Sequence, residues 1–463
     1  MIMSFSVTID RLIALLDASA VNFPEDIRLL SATGICTDTR ILQSGEVFLA
    51  FRGTQFDGHQ FVAAALQKGA IAAIVDRDYD ATDPTMPLLV VRDTLKAYQA
   101  IAHWWREQFE IPVIGVTGSV GKTTTKELIA AVLGTQGKVL KTEKNYNNEI
   151  GVPKTLLGLT SEHQYAVIEM AMRGAGQIAE LTEIANPTIG VITNVGTAHI
   201  ELLGSEAAIA AAKCELLEKM NPDGWAILNH DNARLIKTAA TVWEGKTLTY
   251  GLESGELRGE LLNSEILQVQ GFEAQGCELP LPLVGRHNAL NYLAALAVAR
   301  VLGISWQPLT EGLAVNLPEG RSKRYQLAND IVVLDESYNA GLESMTAALH
   351  LLMETPGNRH IAVLGTMKEL GERSLEFHQQ VGAIAHDLGV DALFIFADLA
   401  EAEAMAVGAG DLPFMEILDI SQPNALDFLA QRLKEFVLSS DRILFKASHS
   451  VQLNQVVQKF IMS

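Results

Sequence analysis

Short, almost wholly apolar runs recur along the chain, each leading through a loop into a stretch with helical spacing. They include "GAIAAIV" (69–75), "LLVV" (88–91), "PVIGVTG" (112–118), "YAVIEM" (165–170), "PTIGVITN" (187–194) and "WAILNHD" (225–231). After residue 330 the same alternation returns with "IVVLDESYN" (331–339), "HIAVLGTM" (360–367), "ALFIFAD" (392–398) and "RILFKAS" (442–448). Strands that are apolar on both faces belong to sheets covered on both sides, and strand–loop–helix alternation predicts parallel α/β units. Between 255 and 284 the texture changes to β-rich sequence, with "ILQVQGFE" (266–273) alternating apolar and polar positions.

The helix-like "TLKAYQAIAHWWREQF" (94–109) and the loop "NLPEGRSKR" (316–324) mark two expected boundaries. The expected fold class is therefore α/β with three domains, over 1–98, 99–317 and 318–463. At 463 residues the chain is too long for one ordinary core.

Composition narrows the partners. Hydrophobic content of 48% with 19% charged residues fits a globular chain with ample core material. The net charge of −20, with no long basic stripe, speaks against a nucleic-acid or acidic-membrane partner. Cys36, Cys214 and Cys277 form no C-x-x-C pair, so a reducing, cytoplasmic location is expected. "MIMSFSVTIDRLIALLDAS" lacks a basic lead and carries Asp10, Arg11 and Asp17, unlike a signal peptide, and no apolar run is long enough to span a bilayer.

The candidate chemistry starts at "IPVIGVTGSVGKTTTKELIAAVL" (111–133), a β-rich run, a glycine loop with Gly-Lys-Thr, and a helix. This is the layout of a phosphate loop, yet Val116 stands where the general pattern has its first glycine. Gly118 and Gly121 can still supply the curvature, with Lys122 for the outer phosphates and Thr123 for Mg²⁺. Ligands in open α/β sheets sit beyond the carboxyl ends of the strands. Glu169 closes one strand and His199 follows another, so both are expected to face the phosphates, Glu169 as a Mg²⁺ ligand. In "SEAAIAAAKCELLEKM" (205–220), Lys213 shares the apolar helix face of Ile209, Leu216, Leu217 and Met220. Two readings stand for it. Spacing alone favours an ion pair or a snorkelling side chain; the other is a neutral amine that adds CO₂ to become a carbamate, whose oxygens suit Mg²⁺.

"TGSVGKTTTKE", "KTEKNYNNEIGVP", "VIEMAMRGAGQI", "TNVGTAHIELLGS" and "AAAKCELLE" resemble the central ATPase domain of the Mur ligases, the ATP-dependent amide ligases of peptidoglycan synthesis. "GRHNALN", "LPEGR" and "LDESYNAGLESM" continue the resemblance in order. The family's loop reads T-G-[ST]-x-G-K-T, which places no glycine at Val116.

The N-terminal "CTDTR" (36–40) and "GEVFLAFRGTQFDGHQFVAAALQKGA" (45–70) are similar to the family member that joins D-alanyl-D-alanine to UDP-N-acetylmuramoyl-tripeptide. That resemblance implies an N-terminal UDP-substrate domain, a central ATP-binding domain, and a C-terminal Rossmann-like domain that closes over ATP and receives the dipeptide. It implies a cytoplasmic, monomeric enzyme with ATP and two Mg²⁺ ions, working through an acyl phosphate.

For the residues it implies an ATP site from Thr117, Gly118, Ser119, Val120, Gly121, Lys122, Thr123 and Thr124, joined by Asn288, Arg321, Asp335, Tyr338 and Asn339. Thr123 and Glu169 would hold one Mg²⁺, His199 and carbamoylated Lys213 the second, with Lys122, Glu169, His199 and Lys213 catalytic. Thr37, Asp38, Arg40, Arg52, Gly53, Asn147 and Asn148 would approach the UDP substrate.

The chain departs from the family pattern at Glu336, Gly341 and Leu342, at Thr366, and at Ala447 and His449, in the part expected to receive the dipeptide. Two alternatives remain open: another ligase of the superfamily, such as the third-residue-adding enzyme or a folylpolyglutamate synthase, and a phosphate-loop switch that performs no ligation.

Overall fold

The computed structural model describes residues 2–462 except 24, 54–55, 81–82, 84 and 272–275. Part of the 45–70 motif and the end of the 266–273 run thus lie outside the described residues. Three sheets of five, nine and six strands follow one another along the chain, with a two-stranded ribbon (Val7–Thr8 with Ser31–Ala32) at the N-terminal end.

The five-stranded sheet runs Ser19–Val21, Leu88–Val91, Ala72–Asp76, Val47–Leu49, Ile35–Cys36; its last four strands are parallel. The helix Thr94–Arg106 follows it, capped by Asp93, whose carboxylate accepts from Lys96 N. It lies where the first boundary is expected and packs against both Ile9–Leu16 and Gly151–Leu156.

In the nine-stranded sheet, Val113–Thr117 lies between His163–Glu169 and Ile189–Ile192, parallel to both. Every residue of Val113–Thr117 is buried, as a strand covered on both faces requires. The β-rich stretch adds Leu257–Leu261, Ile266–Gln270 and Cys277–Pro280 to one edge, the last two antiparallel. Gly115 and Gly190 are register partners on neighbouring strands. A Cβ on either would come within 3.2 Å of the Leu216 side chain. This bare patch lets the helix Glu206–Lys219 press its Leu216 onto the sheet. Because a crossover helix runs opposite to its strands, Lys213 sits about one turn nearer the carboxyl edge than Leu216.

The six-stranded sheet pairs Lys323–Gln326 antiparallel to Val332–Asp335; Asp441–Lys446, Arg359–Gly365, Ala392–Ala397 and Met415–Asp419 continue it in parallel. The fold class is the three-domain α/β arrangement that the apolar runs predict. No helix among the described residues is long and apolar enough to cross a membrane.

Candidate active site

The phosphate-type loop leaves the buried strand Val113–Thr117 and enters the helix Lys122–Gly134. Gly118 has φ +152° and Gly121 φ +82°, backbone states that a side chain would strain. Space forbids one as well: a Cβ at Gly118 would lie 1.9 Å from Thr193 Oγ1, and at Gly121 2.6 Å from Asn291 Oδ1. The two glycines supply the curvature, and Val116 is a buried strand residue. Lys122 Nζ donates to Gly118 O (2.8 Å) and Ser119 O (3.2 Å), across the mouth of the loop. Burial pushes its ammonium below the ordinary lysine range, and the Glu169 charge offsets part of that.

Glu169 pairs in register with Val116, so its carboxylate emerges beside the loop. Its Oε1 accepts from Thr123 Oγ1 (3.2 Å) and Asn147 Nδ2 (2.8 Å). Its Oε2 is buried and has no hydrogen-bond partner, with Lys126 Nζ 3.9 Å away. An orphaned carboxylate oxygen next to a threonine hydroxyl suits a hard divalent cation, which takes oxygen donors. No cluster of three or more His, Cys, Asp or Glu side chains capable of holding a metal occurs among the described residues.

His199 Nδ1 is 2.5 Å from Glu369 Oε2, a residue of the six-stranded unit. Burial, followed by the Lys122 charge, keeps the imidazole below its ordinary pKa and favours the neutral, metal-binding form. Lys213 is 1% exposed and its amine makes no hydrogen bond or ion pair among the described residues. Burial, then the nearby Lys122, drives its pKa well below the ordinary lysine value. Of the ion pair, the snorkelling side chain and the carbamate-forming amine, the ion pair is absent among the described residues.

Ser119, Val120, Gly121, Lys122, Thr123, Thr124, Asn147, Glu169, His199, Asn288, Arg321, Tyr338 and Asn339 line one cavity of about 370 Å³ between the nine- and six-stranded units. Asn288 donates to Val284 O (2.8 Å), and the Arg321 guanidinium lies 3.9 Å from the Tyr338 ring centroid with its Nε buried and unpartnered. Asn339 offers its carbonyl to the buried Lys446 Nζ (2.9 Å). Apart from the residues of the N-terminal unit, five expected residues stand outside this lining: Thr117, Gly118, Asn148, Lys213 and Asp335. Thr117 donates its hydroxyl to Met170 O; Asn148 accepts from Gly151 N and caps a turn; Asp335 turns its carboxylate to Ser337 N and Oγ while Glu336 reaches the cavity.

The residues expected around UDP fall on two further cavities at the five-stranded unit. Thr37, Asp38 and Arg40 line one of about 810 Å³; Thr37, Arg52 and Gly53 line another of about 730 Å³. Asp38 is held at about 2 by its bonds to Arg40, and Arg52 pairs with Asp78 at 2.6 Å.

Three family models cover most of the chain: the Mur ligase middle domain at 116–299, the Mur ligase glutamate ligase domain at 320–449, and the Mur ligase family catalytic domain at 31–104. A Synechocystis protein named UDP-N-acetylmuramoyl-tripeptide–D-alanyl-D-alanine ligase is 55% identical, covering 96% of this chain and 94% of the relative. The chain belongs to the Mur ligase family. Among solved structures, MurF from Acinetobacter baumannii superposes with TM-score 0.88 at 31% identity over 99% of this chain and all of that one. MurF from Thermotoga maritima in complex with ADP gives 0.83 at 29% identity, over 93% and 97%.

Several residues of this Mur ligase site escape sequence reading. Asn194 clasps the loop, its Oδ1 accepting from Val120 N (3.0 Å) and its carbonyl from Ser119 N (3.1 Å). Lys126, fully buried, bonds Thr142 O (2.6 Å) and pairs with Glu127 Oε1 (2.9 Å) next to Glu169. Glu343 accepts from Thr197 N at 2.6 Å and Thr197 Oγ1 at 3.2 Å. Lys126 lay in plain view, one helical turn after Lys122; Glu343 and Glu369 carry no local signal at all.

Proposed function

We infer that this Mur ligase joins D-alanyl-D-alanine to UDP-N-acetylmuramoyl-tripeptide, using ATP and forming ADP and phosphate. The observation that carries the reading is the cavity in which the phosphate loop and Glu169 face Arg321, Tyr338 and Asn339 of the following unit. A phosphate-loop switch would need neither the second wall nor the two cavities of the N-terminal unit. The names of the relatives supply the substrates, and the ADP-bound relative supports ATP as the phosphoryl donor.

A carboxylate is a poor electrophile. In the first step a carboxylate oxygen of the tripeptide's terminal residue attacks the γ-phosphorus and ADP leaves. In the second, the dipeptide amine attacks the carbonyl carbon of the acyl phosphate, and phosphate departs with that oxygen. Backbone N–H groups of Gly121 to Thr123 at the helix N-terminus hold the nucleotide phosphates, and Lys122 answers the charge on the outer ones. Glu169 and Thr123 would hold one Mg²⁺, and His199 with carbamoylated Lys213 a second; the ions would supply charge neutralisation between the two anions. The carbamate forms as the neutral Lys213 amine bonds to the carbon of CO₂ and releases a proton. Asn288 and Arg321 reach the nucleotide, while Tyr338 and Asn339 close the wall against water. Thr37, Asp38, Arg40, Arg52 and Gly53 receive the UDP end of the substrate.

The test is phosphate release with ATP, UDP-N-acetylmuramoyl-tripeptide and one amine at a time: D-alanyl-D-alanine, meso-diaminopimelate, L-lysine or glutamate. D-alanyl-D-alanine alone is expected to raise turnover above buffer. Equal rates with buffer would dismiss the assignment.

A further inference from the structure

One loop of the nine-stranded unit, Gly196 to His199, is gripped from both sides. On the inner side Gly196 N donates to Ser119 Oγ (2.9 Å), and two residues earlier Asn194 holds Ser119 N and Val120 N. On the outer side both oxygens of Glu343 are taken by Thr197, at 2.6 Å by its N–H and at 3.2 Å by its hydroxyl. Glu343 lies in the first turn of the 13-residue helix Leu342–Glu354, where the helix dipole favours a carboxylate. The approach depends on Gly196, since a Cβ there would stand 2.4 Å from Glu343 Oε1. Gly196 has no left-handed φ, so the missing side chain serves the contact and not the backbone.

We propose that Glu343 is a positioning residue: by clamping Thr197 it transmits the seating of the C-terminal unit to the phosphate loop, so that the loop reaches its ATP-binding shape only when the second wall is in place. The proposal rests on the ligase reading for its purpose, because a reactive acyl phosphate must form only in a closed cavity. Its geometry is independent of which amine is joined. Glu343 borders the same cavity but hydrogen-bonds to neither Lys122 nor Glu169; both of its hydrogen bonds go to Thr197. Both donors that Glu343 accepts from are neutral groups of Thr197, so a neutral amide can replace the carboxylate. Glutamine would accept from Thr197 N and turn its amide toward the hydroxyl.

The experiment combines three variants with two readouts, ADP affinity by calorimetry and amide exchange of the full-length protein. Glu343→Ala is expected to weaken ADP about tenfold, the scale of a lost hydrogen bond, and to speed exchange at Gly196 and Thr197 while strand His163–Glu169 is unchanged. Glu343→Gln restores most of the affinity. Gly196→Ala alone weakens ADP because its methyl collides with Glu343 Oε1; placed on Glu343→Ala it adds nothing further, the signature of two residues acting through one contact. Wild-type affinity in Glu343→Ala, or additive losses in the double variant, would overturn the proposal. Failure of the ligase reading shows separately, as wild-type protein that binds ADP but does not turn over D-alanyl-D-alanine.

Discussion

At the scale of single residues the site is built from groups that cost stability where they stand. Lys213 is a buried lysine with no hydrogen-bond or ion-pair partner among the described residues, and burial, then the nearby Lys122, lowers its pKa well below the ordinary lysine value. Between its depressed folded pKa and the unfolded lysine value, the unfolded chain binds the extra proton, so stability climbs as pH rises across that window. Lys213→Met should therefore raise the melting temperature by several degrees near neutral pH in CO₂-depleted buffer, flatten that pH slope and abolish ligation. A variant that is less stable, or still active, would remove Lys213 from the account. Lys122, Thr123 and Glu169 were legible in the sequence because their meaning is local: a loop, a helix start, a strand end. The burial of Lys213 was legible from helical spacing, but its missing partner was not, since that depends on every element packed around it. Glu343 and Glu369 were invisible for a related reason, because their partners Thr197 and His199 lie 146 and 170 positions away.

At the scale of elements, glycines decide how closely strands, loops and helices approach. Gly115 and Gly190 let Leu216 settle on the sheet and so fix the height of Lys213. Gly118 lets the phosphate loop pass Thr193, whose hydroxyl donates to Val120 O at 2.6 Å. Gly118→Ala should lower ATP affinity at least about tenfold, since a strained φ alone costs roughly 1–3 kcal/mol and the methyl must also displace Thr193. Calorimetric titration with ATP checks this, and unchanged binding would contradict the loop geometry. The order of apolar runs made the parallel sheets readable. The antiparallel edge from Ile266 to Pro280 was readable only as β-rich texture, because register with Leu257–Leu261 is set by pairing that no single strand encodes.

At the scale of the whole molecule, three α/β units divide the work. The first carries two cavities sharing Thr37, the second the phosphate loop and Glu169, and the third the opposite wall of the nucleotide cavity. With a net charge of −20, the chain offers anionic substrates no general attraction, so local donors in each cavity must supply it. Asp335 shows how the third unit resists reading from motifs: it ends a strand as expected, yet Ser337 takes its carboxylate and Glu336 faces the cavity. The central claim is that this cavity activates a carboxylate as its acyl phosphate before an amine is joined. It is tested most directly by labelling the terminal carboxylate of UDP-N-acetylmuramoyl-tripeptide with ¹⁸O and supplying ATP and D-alanyl-D-alanine. The account predicts that the released phosphate carries a single ¹⁸O for each amide formed; unlabelled phosphate accompanying amide formation would contradict it.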